Sequence, residues 1–206
     1  MADIRFTTAV KESAEKFGIE LSTDTVRALG DYYSLLSRWN DRLHLVAPCE
    51  PEEFATRHVL ECLMLLRFLP SGSSFVDVGS GAGLPAIPCL IARSDLLATM
   101  IESSQKKSVF LGEAIKQLGI GNRGTIIAKR FEDGPCPDVR FVTCRALDQF
   151  MRQLSVLMDW APSSTLLFFG GDALRQQLEL RQANYREYLI PFSEKRFIFL
   201  IERTGQ

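Results

Sequence analysis

Apolar positions first recur at helical spacing. Phe6, Val10, Ala14 and Phe17 fall on one face, and Gly18 closes that segment. Behind a cap at Ser22 or Asp24, a longer stripe runs through Val26, Leu29, Tyr33, Leu36 and Leu43. Tyr32, Leu35 and Trp39 lie beside it. Pro48 and Pro51 mark a break. Pro51-Glu52-Glu53 then starts another helix, because proline fits the first turn and acids favour the positive end of the dipole. Phe54, Leu60, Leu63, Met64 and Leu66 face inward. Pro70-Ser71-Gly72-Ser73-Ser74 is the first clear loop. The pattern predicts an N-terminal helical region, 1–70, and a second unit, 71–206.

From Phe75 the rhythm becomes alternating strands and helices, which argues for a parallel sheet with helices on both faces. Strands are predicted at Phe75–Val78, Leu97–Ile101, Thr125–Ala128, Arg140–Cys144 and Thr165–Phe169. Helices are predicted at about 85–93, 104–118 and 148–160, and a polar one from Gly170-Gly171 to about Asn184. Two last strands, about Tyr188–Phe192 and Arg196–Ile201, are close enough to pair as a hairpin. The result is a doubly wound α/β sheet with an antiparallel end. Its ligand site is expected beyond the carboxyl ends of the strands, among residues 77–84, 102–107, 129–133 and 145–148.

The candidate chemistry centres on Asp77-Val78-Gly79-Ser80-Gly81-Ala82-Gly83-Leu84-Pro85, a strand, a tight glycine turn and a helix start. Glycine serves where backbone turns sharply or approaches a ligand closely. A dinucleotide fingerprint is G-x-G-x-x-G. Here the glycines fall at every second position, and Leu84 stands where that third glycine belongs. An acid two places before the first glycine suits the cationic amino-acid end of S-adenosylmethionine (SAM). A dinucleotide site and a turn that binds nothing are the alternatives. Glu102 ends the second strand, nineteen residues after Gly83, and a carboxylate there can accept both ribose hydroxyls of an adenosyl group. Phe131-Glu132 follows the third strand, where an adenine could stack. Arg145 follows the fourth. An arginine is no base at neutral pH, so it would hold an anion or stack. Lys106-Lys107, Lys129-Arg130, Arg140 and Arg152 could meet phosphates at the rim. His58, beside Arg57, falls near the apolar stripe and reads as a core histidine. Trp39-Asn40 reads as a packing corner.

Totals narrow the field modestly. The 206 residues suffice for one domain with an appendage, and 46% hydrophobic with 24% charged residues is ordinary for a soluble globular protein. Net charge is −1, with 9 Lys/Arg against 12 Asp/Glu in residues 1–94 and 15 against 13 in the remainder. Any nucleic-acid surface must therefore be a local patch. The first fifteen residues hold no continuous apolar run, and the most apolar stretch, 62–69, carries Arg67 and is too short to span a bilayer. Five cysteines without a C-x-x-C pair are expected to be reduced, mostly buried thiols in a cytoplasmic protein. Two histidines fourteen residues apart offer no metal motif. No metal, no membrane and a monomer are the expectations.

Taken together, these residues resemble the bacterial 16S rRNA guanine-N7 methyltransferase family, also called the glucose-inhibited division protein B family. The likeness runs from Trp39-Asn40 to Arg196. It rests on Arg57-His58, the turn from Asp77 to Pro85 with Ile87-Pro88, Ser103, Lys106-Lys107, Glu132 and Arg145-Ala146. It implies SAM as cofactor and a Rossmann-like fold with a seven-stranded, mostly parallel sheet whose last strand is antiparallel. The implied substrate is a guanine in the 530 loop of 16S rRNA, on the small ribosomal subunit. By matched position, Gly79, Leu84, Phe131, Glu132 and Arg145 would contact SAM, joining Asp77, Gly81, Gly83 and Glu102. Arg145, Arg57 and Lys106 would position the RNA or balance charge at the catalytic centre. Four places depart from the family pattern: Ala86 for a glycine, His44-Leu45-Val46 for N-L-T, Glu61-Cys62 for D-S, and Gly170 for a lysine. The last leaves two other readings open, a SAM-dependent enzyme for another substrate and a non-catalytic RNA- or ribosome-binding module.

Overall fold

A computed structural model describes residues 3–145 and 150–202. Three helical segments come first. Helix α1, Ile4–Ala14, is capped by the Asp3 carboxylate, which accepts from the Arg5 and Phe6 amides, and it runs through a 3₁₀ turn into Gly18 at φ 68°. Helix α2, Thr23–Leu43, is capped by Ser22, whose hydroxyl accepts from the Thr25 amide. Segment α3, 51–67, begins with a turn at Pro51–Glu53, widens into a π-helical run over Phe54–Leu60 and tightens to 3₁₀ at Met64–Arg67. Phe6 stacks on Tyr33 at 4.6 Å, and both lean on Phe54.

The sheet follows: β1 Ser74–Val78, β2 Leu97–Ile101, β3 Gly124–Ile127, β4 Phe141–Cys144, β5 Thr165–Gly170, β6 Tyr185–Leu189 and β7 Phe197–Ile201. Between them run α4 Ala86–Ala92, α5 Gln105–Gln117, α6 Phe150–Trp160 and α7 Asp172–Leu180. The strand order is β3-β2-β1-β4-β5-β7-β6. The first five strands are parallel, and β7 is antiparallel to both of its neighbours. This is the Rossmann-like, doubly wound arrangement expected from the sequence.

Period-two alternation assigns the two faces. Phe75 belongs to the core shared with α1 to α5, whereas Val76 and Val78 belong to the core under α6 and α7. The N-terminal helices and one face of the sheet therefore share a single apolar core. Burying each large side chain there stabilises by about 1.5–3 kcal/mol.

Two boundaries differ from the sequence reading. Helix α7 ends at Leu180, not near Asn184, and β6 lies three residues earlier than predicted. Strand β6 is an edge strand carrying Arg186 and Glu187, so it lacks the apolar signal that located the others. The apolar Ile190-Pro191-Phe192, read as strand, forms the turn that follows. The predicted start of α6 at Asp148 lies outside the described residues.

Candidate active site

Strand order reverses between β1 and β4, and a cavity of about 810 Å³ opens at the carboxyl ends of the strands there. Gly79, Gly81, Leu84, Glu102, Phe131, Glu132 and Arg145 all line it. Segments far apart in the chain, from Leu45 to Arg196 at its extremes, meet in one wall.

The glycine turn holds its shape through its own amides. Gly79, Gly81 and Gly83 sit at φ 72°, 54° and 82°, conformations that side chains resist. The Gly79 and Ser80 N–H groups donate to the Ile101 carbonyl, and those of Gly83 and Leu84 to the Ser80 carbonyl. Gly81 N–H donates to Glu102 Oε2 at 2.8 Å, and Ser104 N–H to Glu102 Oε1 at 2.7 Å. One amide on each oxygen orients this nearly buried carboxylate at the cavity wall and leaves each oxygen a further acceptor site.

The start of α4 is equally engaged. Pro85 and Pro88 have no N–H, and Ile87 N–H donates to the Gly83 carbonyl at 2.7 Å. A phosphate cradle needs such amides free. The turn therefore suits a ligand recognised by Glu102 and by apolar surface better than a pyrophosphate.

Four predicted residues lie elsewhere. Asp77 is fully buried and outside the cavity lining, because alternation along β1 turns it to the Phe75 face, under the N-terminal helices. Neither of its carboxylate oxygens has a hydrogen-bond partner of good geometry among the described residues. Burial pushes its pKa up to about 7, against the opposing pull of the Ser80 hydroxyl and the Ala86 amide. Gly83 is needed for packing: a Cβ there would sit 2.3 Å from Ile87 Cδ1. Lys106 is exposed on the first turn of α5, and Lys107 lines the cavity in its place. The Arg57 side chain pairs with Glu53 at 2.6 Å and faces a neighbouring groove.

Arg145 is fixed from α3. Its guanidinium donates to the Arg57 carbonyl at 2.6 Å, meets His58 Nδ1 at 3.2 Å and lies 3.7 Å from Glu61. The wide π-helical turns bring Arg57 and His58 to it, an irregularity often found at functional sites. Burial, with Arg145 and Arg57 nearby, lowers the His58 pKa to about 4, so the ring is neutral and Nδ1 can accept. Glu61, buried, also takes Arg196 Nε at 3.1 Å and its Nη2 at 2.7 Å. Burial raises its pKa despite those two cations.

Several lining residues escaped the sequence reading. Leu45, Val46 and Ala47 reach the cavity because the Asn40 amide clasps both backbone groups of Val46, at 3.1 and 2.9 Å. Trp39 packs on Phe110, so the Trp39-Asn40 corner positions this loop. Glu61, Arg196, Phe169 and Gln153 also line the wall. Gln153 Oε1 is buried without a partner among the described residues. At Gly170, a Cβ would lie 2.6 Å from Leu174 Cδ2 and 2.9 Å from its Cβ, so no side chain fits without movement of Leu174. Arg145 and Arg196 supply cations to this wall. Of the expected segment 145–148, only Arg145 lies within the described residues.

The family model described as GidB, rRNA small subunit methyltransferase G, matches residues 7–200. This chain belongs to that family. It is 37% identical to the ribosomal RNA small subunit methyltransferase G of Pelotomaculum thermopropionicum, over 73% of this chain and 64% of the relative. It is 34% identical to the protein of that name from Xanthomonas campestris pv. campestris, over 81% of this chain and 78% of the relative. Among solved structures it resembles a SAM dependent methyltransferase from Aquifex aeolicus, with TM-score 0.58, 16% identity, and coverage of 81% of this chain and 97% of that one. It also resembles a protein of the NADB-Rossmann superfamily from Streptococcus agalactiae, with TM-score 0.56, 16% identity, and coverage of 71% and 69%. At such identities these two structures speak for the fold alone.

Proposed function

We propose that this chain transfers the methyl group of SAM to N7 of a guanine in the 530 loop of 16S rRNA, acting as a monomer in the cytoplasm. Family membership supports the reaction class. The observation that carries the cofactor is the Glu102 carboxylate, held by the Gly81 and Ser104 amides at the cavity wall.

The residues present fit an adenosyl group. Each Glu102 oxygen has a further lone pair for a ribose hydroxyl. Phe131, Val78 and Ile101 offer an apolar wall beside it, and Gln153 Oε1, without a partner among the described residues, can accept from an exocyclic amino group. Glu132 adjoins this wall with its carboxylate held by Arg130 at 2.8 Å. Arg145, fixed by His58 and Arg57, presents a guanidinium to an anionic group of cofactor or substrate. In this reading residues 71–206 form the catalytic unit and helices 1–70 brace it.

The cofactor, when bound, supplies an electrophilic methyl group on a positively charged sulfur. Guanine N7 has a free in-plane lone pair, so attack requires no prior deprotonation. The protein's task is then to hold donor and acceptor in line. A wall of Glu102 and apolar side chains such as Val78, Ile101 and Phe131 suits that work without a general base. Titration calorimetry with SAM tests the cofactor assignment: Glu102→Ala should lose most of the affinity that the parent shows. Equal affinity in both would remove Glu102 from the site.

A further inference from the structure

A second groove, of about 380 Å³, adjoins the main cavity and shares Glu61 and Arg196 with it. Its other lining includes Lys16, Phe17, Arg57 and Phe192. Phe192 is 68% exposed at the turn between β6 and β7, with φ 59°. A bulky residue in the left-handed region is an outlier, and exposure adds a second unfavourable feature. The turn is nevertheless well held. Ser193 N–H donates to the Ile190 carbonyl, and the Ser193 hydroxyl accepts from the Lys195 and Arg196 amides. Phe17, itself buried, packs against the Phe192 ring at 5.6 Å, and Lys16 Nζ lies 5.6 Å from the ring centroid.

The surroundings are cationic. Lys16, Arg57 and Arg196 line this groove with one carboxylate, the buried Glu61, while Glu53 pairs with Arg57. A supported aromatic ring with Lys16 beside it, in a groove also lined by Arg57 and Arg196, is the chemistry that takes single-stranded nucleic acid, through base stacking and phosphate contacts. Exposing a guanine for attack requires unpaired RNA nearby, and this groove opens beside the cavity where that guanine would enter.

We propose that the groove binds the single-stranded nucleotides flanking the target guanine. One base stacks on Phe192, and phosphates meet Lys16, Arg57 and Arg196. The inference rests on the methyltransferase reading above and adds the path of the RNA.

The test uses the full chain, a fluorescent single-stranded RNA oligonucleotide and unmethylated small ribosomal subunits. Phe192→Leu should weaken oligonucleotide binding about tenfold and raise KM for subunits, with SAM affinity unchanged. Phe192→Tyr, which keeps the ring, should behave as the parent. Lys16→Gln should reduce the slope of log affinity against log salt by about one phosphate contact. RNA binding by Phe192→Leu and Lys16→Gln equal to the parent's would overturn the proposal. So would loss of subunit methylation by Phe192→Leu with oligonucleotide binding intact, because a protein surface would then occupy the groove. If the parent itself binds SAM but methylates no rRNA, the functional reading fails, and the oligonucleotide titration still decides the groove.

Discussion

The Tyr32 hydroxyl donates to the Ala82 carbonyl at 2.8 Å, tying the middle of helix α2 to the centre of the glycine turn. Tyr32 is fully buried, and burial raises its pKa well above the ordinary value, so it remains a donor at any working pH. Helix α2 thus holds the turn through a direct hydrogen bond. Tyr32→Phe removes the donor and leaves a buried carbonyl unsatisfied, at a cost of about 1–3 kcal/mol. The expected result is a melting temperature several degrees lower and a SAM affinity about three- to tenfold weaker. Unchanged SAM affinity would confine Tyr32 to stability.

The glycines of the turn differ in what they tolerate. An alanine at Gly83 meets Ile87 Cδ1 at 2.3 Å and Leu111 Cδ2 at 3.2 Å, whereas at Gly81 it meets only the Gly79 carbonyl oxygen at 3.8 Å. Both positions carry the left-handed cost, about 1–2 kcal/mol. Overpacking adds about 1–3 kcal/mol at Gly83. Gly83→Ala should therefore melt well below Gly81→Ala in parallel thermal denaturation. The reverse order would mean that the α4–α5 packing around Gly83 is misread.

Asp77 and His58 pull the pH dependence in opposite directions. Asp77 titrates near 7 when folded and near 3.8 when unfolded, so the native state keeps a proton that the unfolded chain releases. Its contribution is present below pH 4 and is lost as pH rises through 7. Asp77→Asn should gain stability relative to the parent steadily between those limits. His58 titrates near 4 when folded and near 6.5 when unfolded. Its contribution is present above pH 6.5 and is lost as pH falls towards 4, so His58→Gln should flatten that acid-side loss. Denaturant titrations of the three proteins at pH 4.5, 6 and 7.5 separate the two effects. A stability difference between Asp77→Asn and the parent that is independent of pH would contradict the burial argument.

Gln153 offers a finer probe of the cavity. Replacing it by leucine keeps the volume and removes the buried acceptor. If Oε1 receives an amino group of the cofactor, Gln153→Leu should weaken SAM about tenfold and melt at or above the parent's temperature without ligand. Equal affinity, measured calorimetrically, would move the adenine elsewhere in the cavity.

Much of this architecture is written in local pattern. The 3.6-residue stripes mark α1 and α2, and short apolar runs set off by glycine, proline or charged residues mark β1 to β5, because those elements bury a face against a core. Glu102 and Arg145 are legible as cavity-lining residues because each follows a strand beside the reversal of strand order. The burial of Asp77 outside the cavity lining is not legible from its proximity to the turn, which does not say which face of β1 a side chain takes; the period of two places it with Phe75. Strand β6 was displaced because an edge strand bearing Arg186 and Glu187 carries little apolar signal. The partners of Arg145 were not legible, since the π-helical run over Phe54–Leu60 arises from tertiary packing. Leu45 to Ala47 reach the cavity only through the Asn40 clasp, a contact that helical periodicity does not report.

The most direct test of the account is transfer of labelled methyl from SAM to small ribosomal subunits lacking the modification, with the labelled nucleotide mapped on 16S rRNA. The account predicts label on N7 of one guanine in the 530 loop, strongly reduced in Glu102→Ala. Tight binding of SAM without label in 16S rRNA, under conditions where a family relative labels the same subunits, would contradict it.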